Sequence, residues 1–225
     1  MKKDFEIIKR CPLFDKMDDK ELNAILKSPY TKIQNFSKNH TVIADGSNTD
    51  HIGIVISGSV QIVRNDYYGN RSIIAHIEPP QIFAEVFVFS EVKAMPVSVI
   101  AASDSRIMLI KPKDILNKNP DGNAYYTKLS NNLLRIVTGK NLKLNEKIEI
   151  ISKRSTREKI MTFLMSQAKL NKSNTFTIPY DRQALADFLE VDRSAMSAEI
   201  SKLRAEGIIE SKRSQFKLIR NYNDQ

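Results

Sequence analysis

Six short β-rich runs between residues 30 and 111 narrow the possible folds of this chain more than any other feature: "HTVIA", "HIGIVISGSVQIVR", "RSIIAHI", "QIFAEVFVF", "PVSVIAA" and "SRIMLIK". Turn residues separate them, in "DGSN", "NDYYGN", "EPP" and "ASDS". Many short strands at near-even spacing predict an all-β sandwich or barrel. "NDYYGN" reads as a hairpin loop, with Gly69 free to take a positive φ. Ahead of this region, "MDDKELNAILK" (18–28) predicts a short helix with Leu22, Ile25 and Leu26 on one face. There is no internal repeat.

Beyond it the turn residues vanish. Residues 121–152 read as one helix of about seven to eight turns. Tyr126, Leu129, Leu133, Ile136, Lys140, Leu144 and then Lys147 or Ile148 recur at helical spacing. Such a helix is too long to lie along one small barrel. A polar residue within an apolar seam fixes register between paired helices, and Lys140 and Asn141 sit at that point. Leu129, Leu133, Ile136 and Leu144 are therefore the expected dimer interface. The alternative is a helix lying alone on its own barrel.

The last third is a third regime. "RSTREKIMTFLMSQAK" predicts a helix with Ile160, Phe163 and Leu164 inward, and Thr175–Ile178 a short strand. Asp181 can cap a helix from Arg182 to Leu189, with Leu185, Phe188 and Leu189 inward. After Glu190–Val191, Asp192 can cap a second, from Arg193 to Ala205, with Met196, Ile200 and Leu203 inward. Two short helices joined by a tight turn form a helix-turn-helix. "IIES" and "FKLI" around "KRSQ" read as a hairpin wing. The outer face of the second helix carries Arg193, Ser194, Ser197 and Ser201. A guanidinium there can pair with guanine O6 and N7 in a major groove. Lys202, Lys212 and Arg213 suit backbone phosphates, and Arg182 completes the expected DNA-binding set. Charge agrees. The chain carries a net +9, and residues 153–225 hold 14 Lys+Arg against 9 Asp+Glu. A basic balance favours an anionic partner, nucleic acid first.

β-roll, long helix and winged helix-turn-helix, in that order, resemble the Crp/Fnr (catabolite activator/FNR) family of bacterial transcription regulators. "PLFDKMDDKELNAIL" looks like the family's N-terminal helix segment, "ISGSVQIVR" like its strand–Gly–strand signature, and "DRQALADFLEVDRSAMSAEISKLRAEGII" is similar to its DNA-reading unit. The resemblance implies an α+β fold in three parts. These are an N-terminal double-stranded β-helix (jelly-roll, cyclic-nucleotide-binding-like) sensor over 1–120, a dimerisation helix over 121–152 and a C-terminal winged helix-turn-helix over 153–225. It also implies a homodimer that binds a near-palindromic double-stranded operator and touches RNA polymerase, with control by a small-molecule effector other than cAMP or by no ligand. The rival reading is a cyclic-nucleotide-type binding module whose basic C-terminal domain serves a non-DNA anion.

Departures from the family pattern are specific. Where the family often has a second arginine five residues after the first, this chain has Ala198. Glu190 occupies a turn position where glycine is common. In cyclic-nucleotide members a Gly-Glu pair holds the ribose and an Arg-Ser pair the cyclic phosphate; by resemblance these fall on Ala84–Glu85 and Met95–Pro96. The carboxylate survives and the guanidinium is gone. Breaking a buried pair of that kind typically costs ~3–5 kcal/mol, and Lys93 nearby is a flexible point charge, not a fork. The family's purine-facing polar pair falls on Lys140 and Asn141, where Lys140 can greet an anion instead. The expected effector pocket is thus Phe83, Ala84, Glu85, Phe87, Met95, Pro96 and Val97, with Ile136, Lys140 and Asn141 from the helix. It either binds a small, partly aromatic or acidic molecule or is filled by its own side chains.

Other classes are excluded by what the chain lacks. Cys11 is the sole cysteine, so there is no internal disulfide and no single-chain four-cysteine metal site. It reads as a bystander and not a redox switch. His40, His51 and His76 lack metal-ligand spacing; His76 is an ordinary strand histidine or, as in some relatives, a haem ligand. No nucleophile–base set, P-loop or HExxH appears, so no catalytic residues, metal or cofactor are expected and the chain is not an enzyme. No apolar run approaches the ~20 residues of a membrane span, and "MKKDFEIIKR" is not a signal peptide. The expectation is a cytoplasmic protein without a membrane partner.

Overall fold

The structure, a computed structural model, describes residues 2–90, 92–112 and 124–219. The chain divides into two compact units, Met1–Asn70 with Ile74–Asn141, and Arg71–Ile73 with Leu142–Gln225.

The first unit opens with α1 (Lys2–Lys9), a 3-10 turn at Pro12–Phe14 and α2 (Asp19–Leu26). Asp18 and Glu21 close a capping box on α2, each side chain bonding the other's backbone N–H at 2.8 Å. Strands follow: β1 (Thr31–Phe36), β2 (Thr41–Ile43), β3 (Ile52–Ser57), β4 (Val60–Asn65), β5 (Arg71–Ile77) and β6 (Ile82–Phe83). Then come a short helix, α3 (Glu85–Phe89), β7 (Ser98–Ala101), β8 (Ser105–Ile110) and the long α4 (Ala124–Ile151). The strands form two four-stranded sheets, ordered β1-β8-β3-β6 and β2-β7-β4-β5. This is the expected jelly-roll. The β4–β5 turn behaves as expected too: Gly69 has φ +82°, and the Asp66 carboxylate accepts from the backbone N–H of Tyr68 and Asn70.

β3 explains how the layers stack. Its residues are buried on both faces. Ile52, Ile54 and Ile56 join Met108 and Ile110 against Ile8, Leu13, Phe14, Leu22 and Ile25 of the N-terminal segment. Val55 points the other way, into the core between the sheets, with Val60, Phe83, Met95, Val97, Val99 and Ile107. Alternation along a strand makes this division, and burial of both faces makes the run read as continuously apolar.

Two local expectations need correction. β1 was not among the expected strands. It is an edge strand with an exposed middle, so "TKIQNF" carries no alternation to read. "QIFAEVFVF" was expected as a strand and is one for only two residues. Ala84 takes a left-handed φ of +66°, which ends β6 and starts α3. The Phe83 ring lies against Gly53 of β3, where a Cβ would meet Phe83 Cζ at 2.0 Å. Only glycine lets that ring close the sheet.

The dimer stripe needs a third correction. Leu129, Leu133 and Ile136 are half-buried against the cluster of the N-terminal segment and β3, so α4 uses that face on its own unit. Of the expected set, Leu144 is exposed. The apolar face left open carries Leu134, Val137, Leu144 and Ile148, each 36 to 67% exposed. The side chain of Tyr126 and residues 121–123 of the expected helix lie outside the described residues.

The second unit contains α5 (Thr156–Asn171), β9 (Thr175–Thr177), α6 (Arg182–Leu189), α7 (Arg193–Ala205), β10 (Ile209–Lys212) and β11 (Gln215–Leu218). Ser155 and Glu158 form a capping box on α5, and Ile160, Phe163 and Leu164 are buried as expected. The strands order β10-β11-β9. Lys212 pairs with Gln215 across a two-residue turn whose first residue, Arg213, has φ +53°. Among the described residues no helix is long and apolar enough to cross a membrane.

Candidate nucleic-acid interface and sensor cleft

The helix-turn-helix is built from its caps. Asp181 accepts from the Ala184 N–H and Asp192 from the Ala195 N–H, both at 2.8 Å, so two aspartates start α6 and α7. Between them Glu190 adopts φ +54°, ψ +55°, a conformation glycine would take with less strain. Lys159 of α5 donates to the carbonyls of Leu189 and Glu190 at 3.4 and 3.3 Å, meeting acceptors that end α6. Leu185, Leu189, Met196, Ile200 and Leu203 are buried, and Phe188 is half-buried against Tyr180. Behind α7, Arg157 reaches Glu199 at 3.3 Å and Glu206 at 2.9 Å. These carboxylates are seven residues apart, about two turns, so one guanidinium fixes both the tilt and the rotation of α7.

On the outer side, Arg193 is exposed and makes no hydrogen bond or ion pair with the described residues. Its serine neighbours are less free. The Ser194 hydroxyl donates to the Asp192 carboxylate, and Ser201 Oγ donates to the Ser197 carbonyl at 3.0 Å. Ser197 is half-buried, and Lys202 lies 3.8 Å from Glu199. Lys212 and Arg213 are exposed on the wing. Arg182 departs from its expected role. Its guanidinium stacks over Phe216 at 5.0 Å and donates to Ser211 Oγ at 3.3 Å, because the first turn of α6 faces the wing. It braces the wing from inside the domain. Sequence reasoning missed Arg157, the brace, and Arg204. A signal existed for Arg204: eleven residues are about three turns, so it shares an edge of α7 with Arg193.

In the roll, the residues expected to line one cavity separate. Phe83, Ala84, Met95 and Val97 are all at most 5% exposed and pack in the inter-sheet core, with Phe87 partly buried beside them. Pro96 points outward between Met95 and Val97, as strand-like alternation requires. Asn141 is exposed, and Ile136 belongs to the other cluster. Glu85 is 3% exposed, and its partner is internal. Lys140 Nζ donates to its two carboxylate oxygens at 2.8 and 2.9 Å and to the Ile82 carbonyl at 2.7 Å. The anion that Lys140 greets is thus the chain's own.

The remaining candidates are quiet. Cys11 is buried, and desolvation pushes its thiol up to about 12. Burial lowers the affinity of His76 for its proton, with Glu78 opposing weakly. Among the described residues no three His, Cys, Asp or Glu side chains group to hold a metal ion.

Comparison with known proteins matches residues 33–118 to the cyclic nucleotide-binding domain and residues 158–222 to the Crp-like helix-turn-helix domain. A CRP-like cAMP-activated global transcriptional regulator of Mycobacterium tuberculosis is 30% identical over 84 residues, 37% of this chain and 37% of that regulator. The chain thus aligns with little more than a third of that relative. The transcriptional activator FnrL of Cereibacter sphaeroides is 23% identical over 204 residues, 85% of this chain and 77% of FnrL. FixK2 from Bradyrhizobium japonicum shares the fold, with a TM-score of 0.67 at 18% identity over 86% of this chain and 94% of FixK2. With both domains matched in the same order along one chain, the protein belongs to the Crp/Fnr family of transcription regulators, a family that is not enzymatic.

Proposed function

We propose that this chain is a homodimeric, cytoplasmic regulator that reads a near-palindromic operator in double-stranded DNA and acts on RNA polymerase. Residues 1–120 serve as its sensor domain, 121–152 as its dimer arm and 153–225 as its reader. The observation that carries the reading is Arg193. It is a guanidinium unengaged among the described residues, at the open start of α7, a helix capped by Asp192 and braced from behind by Arg157. Such a fork suits the O6 and N7 edge of guanine. The open stripe of α4 supports the dimer. Leu134, Val137, Asn141, Leu144 and Ile148 follow the alternating three-and-four spacing of a two-stranded seam, with one polar position. The Glu85–Lys140 pair supports operation without cAMP, since the carboxylate expected to meet a ribose is already bonded.

The test is a binding selection on randomised duplexes with wild type and Arg193→Ala. Loss of Arg193 should cost about 1–3 kcal/mol on the selected operator and blur one base pair per half-site. A variant that keeps the wild-type sequence preference removes Arg193 as the base reader. A wild type that binds no duplex even at low salt favours the non-DNA anion.

A further inference from the structure

Residues 152–155 alone join α4 to α5. Each carries two soft dihedral angles, so the link by itself lets α5 and the helices after it swing on the end of α4. Side chains of the same compact unit, which comprises residues 71–73 and 142–225, oppose that swing. Lys147 lies one turn before the end of α4, and its side chain is 6% exposed. Its ammonium donates to the Ile73 carbonyl of β5, sits 4.9 Å from the centre of the Phe188 ring of α6 and lies 3.9 Å from the Glu190 carboxylate. Arg71, the first residue of β5, reaches one oxygen of Asp187 of α6 at 3.4 Å, and Gln183 donates to the other at 2.8 Å. Asp187 is buried. Phe188 packs in turn against Phe163 of α5 and against Tyr180, with ring centroids 5.4 and 5.0 Å apart. α6 is thus gripped by two other elements, α4 and β5, at Asp187, at Phe188 and at the turn residue Glu190.

This grip differs from ordinary packing in two ways. Burying an ammonium is costly unless it is paired and hydrogen-bonded, and an apolar side chain of similar length would fill the same space at less cost. What the lysine adds is direction, because one charge meets a carbonyl, a ring face and a carboxylate at once. Glu190, for its part, holds a left-handed φ of +54°, where glycine is the unstrained residue. A glycine would relax that turn and lose the carboxylate that faces Lys147. We infer that Lys147 and Arg71 clasp α6 and fix the angle at which the reader leaves the last turns of α4, so that the clasp sets the half-site spacing the dimer accepts. Spacing follows from how two readers are carried on paired arms, whereas base preference follows from the side chains of α7. Lys147, Arg71 and Glu190 are positioning residues here. The inference rests on the DNA-binding and dimer readings above.

The test measures affinity of the full-length protein for duplexes that carry the selected half-sites with the spacer between them at its selected length, one base pair longer or one shorter. Each added base pair moves a half-site by about 3.4 Å and turns it by about 34°. Wild type should lose about tenfold at either change, the scale of one mismatched base pair. Lys147→Met should cut that loss to about threefold or less, with the base preference inside each half-site unchanged. So should a second variant that leaves Lys147 in place, Arg71→Ala combined with Glu190→Gly. Its glycine relieves the turn, so it keeps the test open if Lys147→Met does not fold. Lys169→Ala removes an exposed cation of α5 outside the clasp and should keep the wild-type profile. A wild-type spacing profile in Lys147→Met, or in the second variant where Lys147→Met does not fold, overturns the inference. So does loss of base preference along with spacing, which would make the clasp a support of α7 and not of its placement. A flattened profile in Lys169→Ala overturns it too, by tracing the effect to net charge. Wild type binding no duplex would instead sink the DNA-binding reading, and wild type binding one half-site as tightly as two would sink the dimer.

Discussion

Replacing Lys140 with methionine keeps the length of the side chain and removes its charge. The ammonium donates to both carboxylate oxygens of Glu85 and to the Ile82 carbonyl. Without it, a carboxylate that is 3% exposed is stripped of its cation. Breaking a buried pair from one side typically costs 3–5 kcal/mol. Lys140 is 31% exposed, so water partly screens the pair, and about 3 kcal/mol is the expected penalty. For a chain of this size that lowers Tm by roughly 6–12 °C. Removing both charges, in Glu85→Gln with Lys140→Met, leaves no stranded ion and should recover most of the loss. The assay is urea unfolding of wild type, both single variants and the double variant, followed by fluorescence of the tyrosines and by circular dichroism. A Lys140→Met penalty below ~1 kcal/mol, or a double variant as unstable as Lys140→Met alone, would refute the internal pair as the reason the pocket is closed.

The two faces of α4 should respond differently to charge. Leu144→Asp or Ile148→Asp should give folded monomers in sedimentation, because an unpaired charge enters an apolar seam, whereas Leu133→Asp should unfold the roll itself. Micromolar cAMP should not shift the melting curve; a ligand at 100 times its Kd would add about 2.7 kcal/mol and be plain to see. Cys11, its thiol pushed up to about 12, should resist alkylation at pH 8 in the native protein and react once urea unfolds it; rapid native labelling would place it at the surface.

The parts legible in the sequence are those fixed by neighbours in the chain. Asp181 and Asp192 precede apolar residues at helical spacing, and capping is a local event, so α6 and α7 begin where the aspartates predict. The wing and the Gly69 turn are equally local. The parts not legible need a partner distant in the chain. Periodicity shows that α4 has apolar faces, but only the packed N-terminal segment decides that Leu133 turns inward and Leu134 outward. Lys140 is recognisable as a cation waiting for an anion, yet that anion is 55 residues away, on a helix that the apolar run "FVF" disguises as a strand. Arg182 looks like a surface cation because nothing near it in sequence announces Phe216.

Polar ties at Lys128, Asn132 and Lys140 fasten the inner edge of α4 to its own unit, and Arg135 adds an exposed one to Asp15. Lys128 bonds both carboxylate oxygens of Glu21 at 2.9 Å, and the Asn132 amide donates to the carbonyls of Leu13 and Asp15 at 3.1 and 2.8 Å. Lys140 holds Glu85 and Ile82. Lys128, Asn132 and Lys140 lie four and then eight residues apart, so they repeat on one edge of the helix. A rod pinned at these levels can neither slip along its axis nor roll about it without releasing the pins together. One turn of slip is 5.4 Å, well beyond hydrogen-bond reach for every one of them. From Lys128 to Lys140, then, helix and roll are a single mechanical part, and amide exchange along that stretch should show one shared opening and no gradient of fraying. Any rearrangement that repacks the outer stripe must carry the roll with it or begin beyond the last pin.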